Sequence, residues 1–418
     1  MADTAIPESM LALRLKGVGM DSVELEEVPV PRPEADQVLC RVEAVAACSS
    51  DNKIIDQGAE HSLMYGWDTG KWPVILGHEG CVTAVEVGER WEDKIQVGAR
   101  YAVQPAVPSG PKRHLDRYRG NAEGIEKIAI GYTLPGLYAE YVLIDPEVIE
   151  TSCLVPVPWE RLAHFAAGLS EPISCVVAAQ QHTTHVVKAA PDAPRRAQLG
   201  LLRGGTTLVI GAGPMGLLHV EIAMTHKPAT IIVSEPSDAR RQAAADFFTE
   251  RAAQAGIRLV LTVPDELEGA IAEVTDGGGV DDCIVALGIR AVQQKSFDYL
   301  GKGGVTNLFG GLKAGDSIIE VDARRIHYDS ISAIGSSGSD PSDIREALEM
   351  IAEGNIRPGR YVAAIGGLDA ARDLIVAVRE QRFEGKGVIY PSLRRPLEHV
   401  ERWSADHERD LLGNEGAA

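Results

Sequence analysis

The sequence predicts an α/β chain in two parts: a β-rich, partly open barrel, then a doubly wound parallel sheet with helices on both faces. Three observations predict it. Up to Glu171, apolar strand patterns are separated by segments rich in proline and glycine. Residues 206–335 alternate short apolar runs with helical patterns, the mark of strand–helix–strand units. Glycine is abundant (43 of 418 residues) and aromatic residues are scarce (5%), a balance that suits many tight strand-to-helix turns.

Each element follows in order. Met10–Leu15 is a short strand. Val23–Val28 alternates apolar and acidic residues, the period of a half-buried strand, and Pro29, Pro31 and Pro33 end it. Gln37–Ala46, Gly80–Val87 and Gly98–Val103 are further strands. In the second part, Thr206–Ile210, Thr230–Val233, Leu259–Thr262, Asp282–Ala286 and Gly304–Phe309 read as buried strands. Pro214–Thr225 and Asp238–Ala255 read as helices, with Asp238 an N-cap or first-turn acid. A helix over Asp343–Glu353 stops at Gly354, and Gly387–Tyr390 returns as a strand to the first part. In the charged tail, Trp403 and Leu411-Leu412 are spaced to share one helix face. Gly277-Gly278-Gly279 reads as a turn before the Asp282 strand.

Charge excludes some partners. With 41 basic and 60 acidic residues the formal net charge is −19, which opposes nucleic acid and anionic membranes. No apolar run reaches the roughly 18 residues of a spanning helix, and Met1–Met10 lacks the pattern of a signal peptide. The six cysteines are scattered without a Cys-x-x-Cys pair, so a disulfide framework is not expected and a reducing, cytoplasmic setting is.

Gly211-Ala212-Gly213-Pro214-Met215-Gly216 directly follows a strand and opens a helix, and Glu235 stands 19 residues beyond Gly216. Gly211 makes the tight turn, Gly213 admits a pyrophosphate, and Gly216 lets helix and strand pack. The helix that opens at Pro214 and Met215 faces the phosphates with its free N–H groups, Pro214 itself having none. A Glu235 carboxylate accepts ribose hydroxyls and repels a 2′-phosphate, so NAD is expected over NADP. Arg240 and Arg241 leave a phosphate contact open.

Three further clusters carry chemistry: Cys48-Ser49-Ser50-Asp51, Gly77-His78-Glu79-Gly80 and Leu169-Ser170-Glu171-Pro172. A soft thiolate, an imidazole and carboxylates can complete a tetrahedral zinc site. Singly, each has an ordinary reading: a core thiol, a loop histidine, a helix cap.

With Leu25-Glu26-Glu27-Val28-Pro29-Val30-Pro31-Arg32-Pro33, these clusters and the glycine loop occur in an order that resembles the medium-chain, zinc-dependent alcohol and polyol dehydrogenases, over nearly the whole length. The resemblance implies a GroES-like catalytic domain over residues 1–172, completed by 336–418, and a Rossmann domain over 173–335. It implies one catalytic zinc, with Cys48, His78 and Glu171 as ligands. Glu79 is then a ligand or a close partner of the metal. Glu171 occupies the position that is glutamate in sorbitol-type members. Ser50 would contact the substrate oxygen and take its proton. Lys53 stands where many members have a relay histidine, and is either a relay or a solvent or cofactor-phosphate contact.

The chain departs from the family in three places. Tyr101–Gly124 contains no cysteine, so no structural zinc is expected. Cys48 and His78 are 30 residues apart, and the extra segment around Gln57–Lys71, with His61, Tyr65, Trp67 and Asp68, borders the substrate pocket in the family fold. An insertion at Lys188–Gln198 has no assigned role. The implied function is interconversion of a secondary alcohol and a ketone on a polyol, sugar or cyclitol, with hydride passing to NAD, in a cytoplasmic homodimer or homotetramer. The alternatives are a sugar-phosphate reductase using NADP and a non-catalytic NAD-binding protein. A basic cluster, Lys112, Arg113, Arg117 and Arg119 beside Asp116, reads either as a contact for a phosphorylated sugar or as a solvated loop or subunit contact.

Overall fold

The computed structural model describes residues 6–313 and 315–415. The chain divides into two compact units, Met1–Pro172 with Asp340–Ala418, and Ile173–Ser339.

The first unit is built on a mixed eight-stranded sheet. Its main path runs Leu154–Pro156, Arg100–Val103, Glu79–Val87, Val38–Ala46, Lys386–Tyr390, Val362–Gly367, Glu398–His399, and Tyr141–Ile144 also pairs with Val38–Ala46. A three-stranded sheet of Val23–Pro29, Ser9–Leu15 and Val74–Ile75 lies in the same unit. One register decides the chemistry. Ala46, the last residue of its strand, pairs with Glu79 on one side and with Val388 on the other. Residues just past that strand end therefore meet side chains from two remote stretches of sequence. The core beneath is aliphatic and aromatic, with Leu13, Val42, Ile54, Trp67, Tyr138 and Ile389 all buried.

The second unit is a six-stranded parallel sheet ordered Arg258–Thr262, Thr230–Ser234, Thr206–Ile210, Val280–Val285, Leu300–Asn307, Ser332–Ile334. The strand order reverses beside Thr206–Ile210, where open α/β sheets place ligands at the carboxyl ends of the strands. Thr206–Ile210 and Thr230–Ser234 are buried along their whole length, as strands of a parallel sheet covered on both faces are. Glycines 277 and 279 turn the chain with φ of 75° and 81° into the Val280 strand. The inserted segment before Thr206 is a hairpin of Thr184–Val187 and Arg196–Leu199.

The tail differs from its sequence reading. Its helix spans Ala405–Glu415, so Trp403 lies before it and donates a backbone hydrogen bond to Gly359. The residue that anchors this helix is charged. Glu408 is 3% exposed and accepts from the backbone N–H groups of His164 (2.7 Å) and Phe165 (2.8 Å) and from the Tyr390 hydroxyl (3.0 Å). A carboxylate thus supplies the acceptors that the start of the His164–Gly168 helix lacks.

Asp145 opens the short helix Pro146–Glu150. Burial pushes its carboxyl from the usual 3.8 up to about 6, although Gln37 donates to it at 2.6 Å. The fold thus holds this proton more tightly than the unfolded chain does. That contribution is complete below pH 3.8 and is lost as pH rises through 6, a swing on the order of 3 kcal/mol. Asp145→Asn stays neutral and keeps an acceptor for Gln37. It is expected to be more stable than the parent at pH 8 and no more stable at pH 4, as read from urea unfolding at the two pH values.

Candidate active site

Cys48 sits one residue past Ala47, at the N-cap of the helix Ser49–Gln57. Asp51 closes a capping box there, its Oδ2 accepting from the Cys48 N–H at 3.2 Å. Its other oxygen lies 3.3 Å from His78 Nδ1. One fully buried carboxylate thereby starts the helix and orients the imidazole, leaving Nε2 to face the thiol. The Ser50 hydroxyl is 2.9 Å from Cys48 Sγ and 3.1 Å from His78 Nε2. A carboxylate behind a histidine fixes the ring and strengthens it as a metal ligand.

Glu79 follows His78 at the head of its strand and is 1% exposed. Both of its oxygens accept from the Lys386 ammonium, at 2.6 and 2.7 Å, and the same nitrogen lies 3.4 Å from the Ala47 carbonyl. Burial works against a charged lysine here. Glu79, Cys48 and Glu171 outweigh it and raise Lys386 above its ordinary range. Burial also opposes charge on His78, and Asp51 and Cys48 likewise hold it well above its usual range.

Ligand atoms of Cys48, His78 and Glu79 all lie within 4.8 Å of one another. A thiolate, an imidazole nitrogen and a carboxylate, in a pocket whose electrostatics favour positive charge, fit zinc. Glu171, 8% exposed, is not in that close set, although its charge reaches Lys386.

The longer segment between Cys48 and His78 forms part of the wall. Tyr132 packs against His78 with ring centres 5.9 Å apart and planes tilted by 46°, and His61 packs against Tyr132 at 5.4 Å and 49°. His61 Nδ1 accepts the Leu63 N–H at 3.2 Å. Burial, then the nearby Lys53 charge, lower the His61 pKa, so its imidazole is neutral at pH 7. Lys53 itself is exposed on the helix. The basic cluster does not converge on this site. Arg113 pairs with Glu34 and Asp36, Lys112 with Glu150 and Arg119 with Glu60, while Arg117 lies over the Trp67 and Trp72 rings. Its charge serves the loop.

In the second unit, Gly211 turns with φ of 100°, and a Cβ on Gly216 would lie 1.9 Å from the Gly211 carbonyl, so this helix packs only with glycine there. A Cβ on Gly213 would meet nothing within 4 Å. The protein's own packing therefore does not require glycine at 213, and the backbone there is open to close approach from outside. Gly213 caps the helix Pro214–Ala223, with Pro214 and Met215 in its first turn. Glu235 is 3% exposed and accepts from the N–H groups of Ala212 (2.8 Å) and Ser237 (3.0 Å), tying the acidic residue to the glycine loop. Arg241 is committed to the Glu235 carbonyl (2.5 Å) and to Asp238. Arg240 lies part-exposed in the first turn of the next helix.

Sequence reading missed Lys386, the second role of Asp51, and Tyr132. A lysine bordering an otherwise apolar strand was the available signal for the first. Asp51 three residues after the cysteine was the signal for the second.

Residues 34–158 match the alcohol dehydrogenase GroES-like domain, and residues 214–353 the zinc-binding dehydrogenase family. The chain is 28% identical to mannitol-1-phosphate 5-dehydrogenase of Aliivibrio fischeri, over 95% of this chain and 90% of that protein. It is 27% identical to L-sorbose 1-phosphate reductase of Klebsiella pneumoniae, over 93% and 90%. In fold it is similar to a zinc-binding dehydrogenase from Sinorhizobium meliloti bound to NADP, with a TM-score of 0.70, 24% identity and coverage of 92% and 100%.

Lys386→Met leaves Glu79 buried without its cation. Breaking such a pair costs about 3–5 kcal/mol. A bound divalent cation would restore the missing charge. Zinc-free Lys386→Met is therefore expected to melt far below the zinc-free parent, and zinc to close most of the gap. Thermal unfolding of both proteins with and without zinc checks this.

Proposed function

The chain belongs to the zinc-dependent medium-chain alcohol and polyol dehydrogenases, and from that membership we propose that it interconverts a secondary alcohol and a ketone on a phosphorylated polyol, using NAD. The observation that carries the reading is the gathered Cys48, His78 and Glu79 beside the Ser50 hydroxyl. When bound, zinc supplies a Lewis acid for the substrate oxygen and the nicotinamide supplies a hydride acceptor. Cys48 Sγ, His78 Nε2 and the carboxylate of Glu171 or Glu79 would hold the metal. Asp51 keeps the imidazole aimed. Ser50 Oγ would take the substrate hydroxyl proton as it releases its own, and Lys53, exposed three residues further on the same helix, marks the way to solvent for the released proton. Tyr132 and His61 wall the site, and the neutral His61 imidazole offers its free nitrogen to a substrate oxygen.

The phosphorylated substrate rests on the two relatives named for sugar phosphates. NAD rests on Glu235, whose carboxylate stands at the glycine loop, and on Arg241 being already engaged. Zinc at a single site rests on the absence of cysteine from Tyr101–Gly124.

The test is a panel of polyols, polyol phosphates and cyclitols, followed by NADH absorbance. Turnover is expected to be fastest on a polyol phosphate. Cys48→Ala and His78→Ala are each expected to abolish it while NADH still binds, as read by fluorescence titration. No turnover on any member of the panel by zinc-loaded protein would refute the reading.

Glu235→Ser removes the charge that repels a 2′-phosphate. The ratio of kcat/KM for NAD over NADP is expected to fall at least about tenfold, or about 1.4 kcal/mol. A parent enzyme that prefers NADP would contradict the cofactor assignment.

A further inference from the structure

The candidate metal site has one carboxylate more than a catalytic zinc can use. Cys48 and His78 offer a thiolate and an imidazole, and Glu79 and Glu171 offer two carboxylates. Four protein ligands close a zinc site, whereas a catalytic zinc has three and keeps a position for the substrate oxygen. One carboxylate must therefore be withheld.

Distance alone would withhold Glu171. Ligand atoms of Cys48, His78 and Glu79 lie within 4.8 Å of one another, and Glu171 is outside that set. The partners of Glu79 argue the other way. The Lys386 ammonium lies 2.6 Å from one of its oxygens and 2.7 Å from the other, so both are already engaged. Both residues are buried, and water cannot take the place of either partner. The lysine is also fixed in place. Its strand pairs with Val45–Ala46, and its nitrogen lies 3.4 Å from the Ala47 carbonyl, one residue before Cys48. A metal on the same Glu79 oxygens would face the ammonium across a single carboxylate, two cations where solvent does not screen them.

Glu171 is buried in the first turn of the helix Ser170–His182, in the same unit, and its charge reaches Lys386. The charges then match in groups. Lys386 answers Glu79, and a divalent metal answers the Cys48 thiolate and Glu171.

We propose that Lys386 is a positioning residue that selects the metal's carboxylate: by holding both oxygens of Glu79 it keeps that residue off zinc, so that Glu171 is the third protein ligand and the fourth position stays open. This assignment rests on the zinc reading above and goes beyond it in saying which carboxylate binds and why. Lys386 touches neither metal nor substrate and acts through Glu79.

Zinc dissociation constants of the full-length protein, read by competition with a chromogenic chelator, test it. Glu171→Gln is expected to weaken zinc binding at least about a hundredfold. Glu79→Gln/Lys386→Met replaces the ion pair with a neutral pair and is expected to stay within about tenfold of the parent. Lys386→Met frees Glu79, so it is expected to tighten zinc binding and to restore near-parent affinity to Glu171→Gln. Cobalt(II) in place of zinc reads the open position. Added imidazole is expected to shift the visible absorption of the parent and to leave that of Lys386→Met unchanged, because its four protein ligands close the site. A merely structural lysine would produce neither the rescue nor the spectral difference. Glu171→Gln and the neutral-pair variant decide the question even if Lys386→Met folds poorly. Loss of zinc from Glu79→Gln/Lys386→Met, parent-like zinc affinity in Glu171→Gln, or no rescue of Glu171→Gln by a folded Lys386→Met would overturn the proposal. A parent that binds no zinc would overturn the zinc reading along with it.

Discussion

Glu79 begins a strand at the centre of the main sheet with 1% of its surface exposed, so water does not solvate its charge. An isolated carboxylate in such a place is prohibitively costly, and it must be paired or protonated. Lys386 pairs it, and much of the first unit is arranged so that it can. The strand Lys386–Tyr390 runs beside Val38–Ala46, whose other neighbour carries Glu79. The end of the shared strand delivers Cys48 to the same place, and the Ala47 carbonyl lies near the ammonium. One buried cation thus faces the thiol and the carboxylates that gather around it. A metal entering this pocket would meet a site already partly neutralised, and Glu79 could join it only by loosening its hold on Lys386.

The fold was largely legible because its signals are local. Apolar runs of five residues bounded by glycine, and the glycine loop between a strand and a helix, locate Thr206–Ile210 and Pro214–Ala223 without knowledge of tertiary structure. Cys48, His78 and Glu79 were legible through motif order and resemblance, and the structure brings their ligand atoms together. What escaped was non-local. Lys386 lies 307 residues from Glu79 along the chain, and the apolar strand pattern begins only after it. Tyr132 acts through a ring contact that no spacing announces. The basic cluster was open to two readings, and spacing could not choose between them because its counter-ions, Glu34, Asp36, Glu60 and Glu150, are scattered through the sequence.

The tail shows the same limit. Trp403 and two leucines suggested an apolar helix face, whereas the buried contact is made by Glu408. A glutamate amid charged neighbours reads as solvated surface. Only the free N–H groups at the start of another helix, more than 240 residues earlier, turn it into an anchor.

That anchor has a consequence for biosynthesis. Ribosomes emit the chain from its amino end at roughly 5–20 residues per second. Residues 362–415 supply three strands of the main sheet, the Lys386 ammonium and the Glu408 carboxylate, and all of them emerge after the whole parallel-sheet unit. The nascent first unit must wait, with Glu79 uncompensated and the Val45–Ala46 end of its strand lacking one neighbour, while the second unit can finish folding ahead of it. Such an exposed edge invites wrong pairing. A chain cut just before Lys386 would therefore retain the parallel-sheet unit and lose the cation that pairs Glu79.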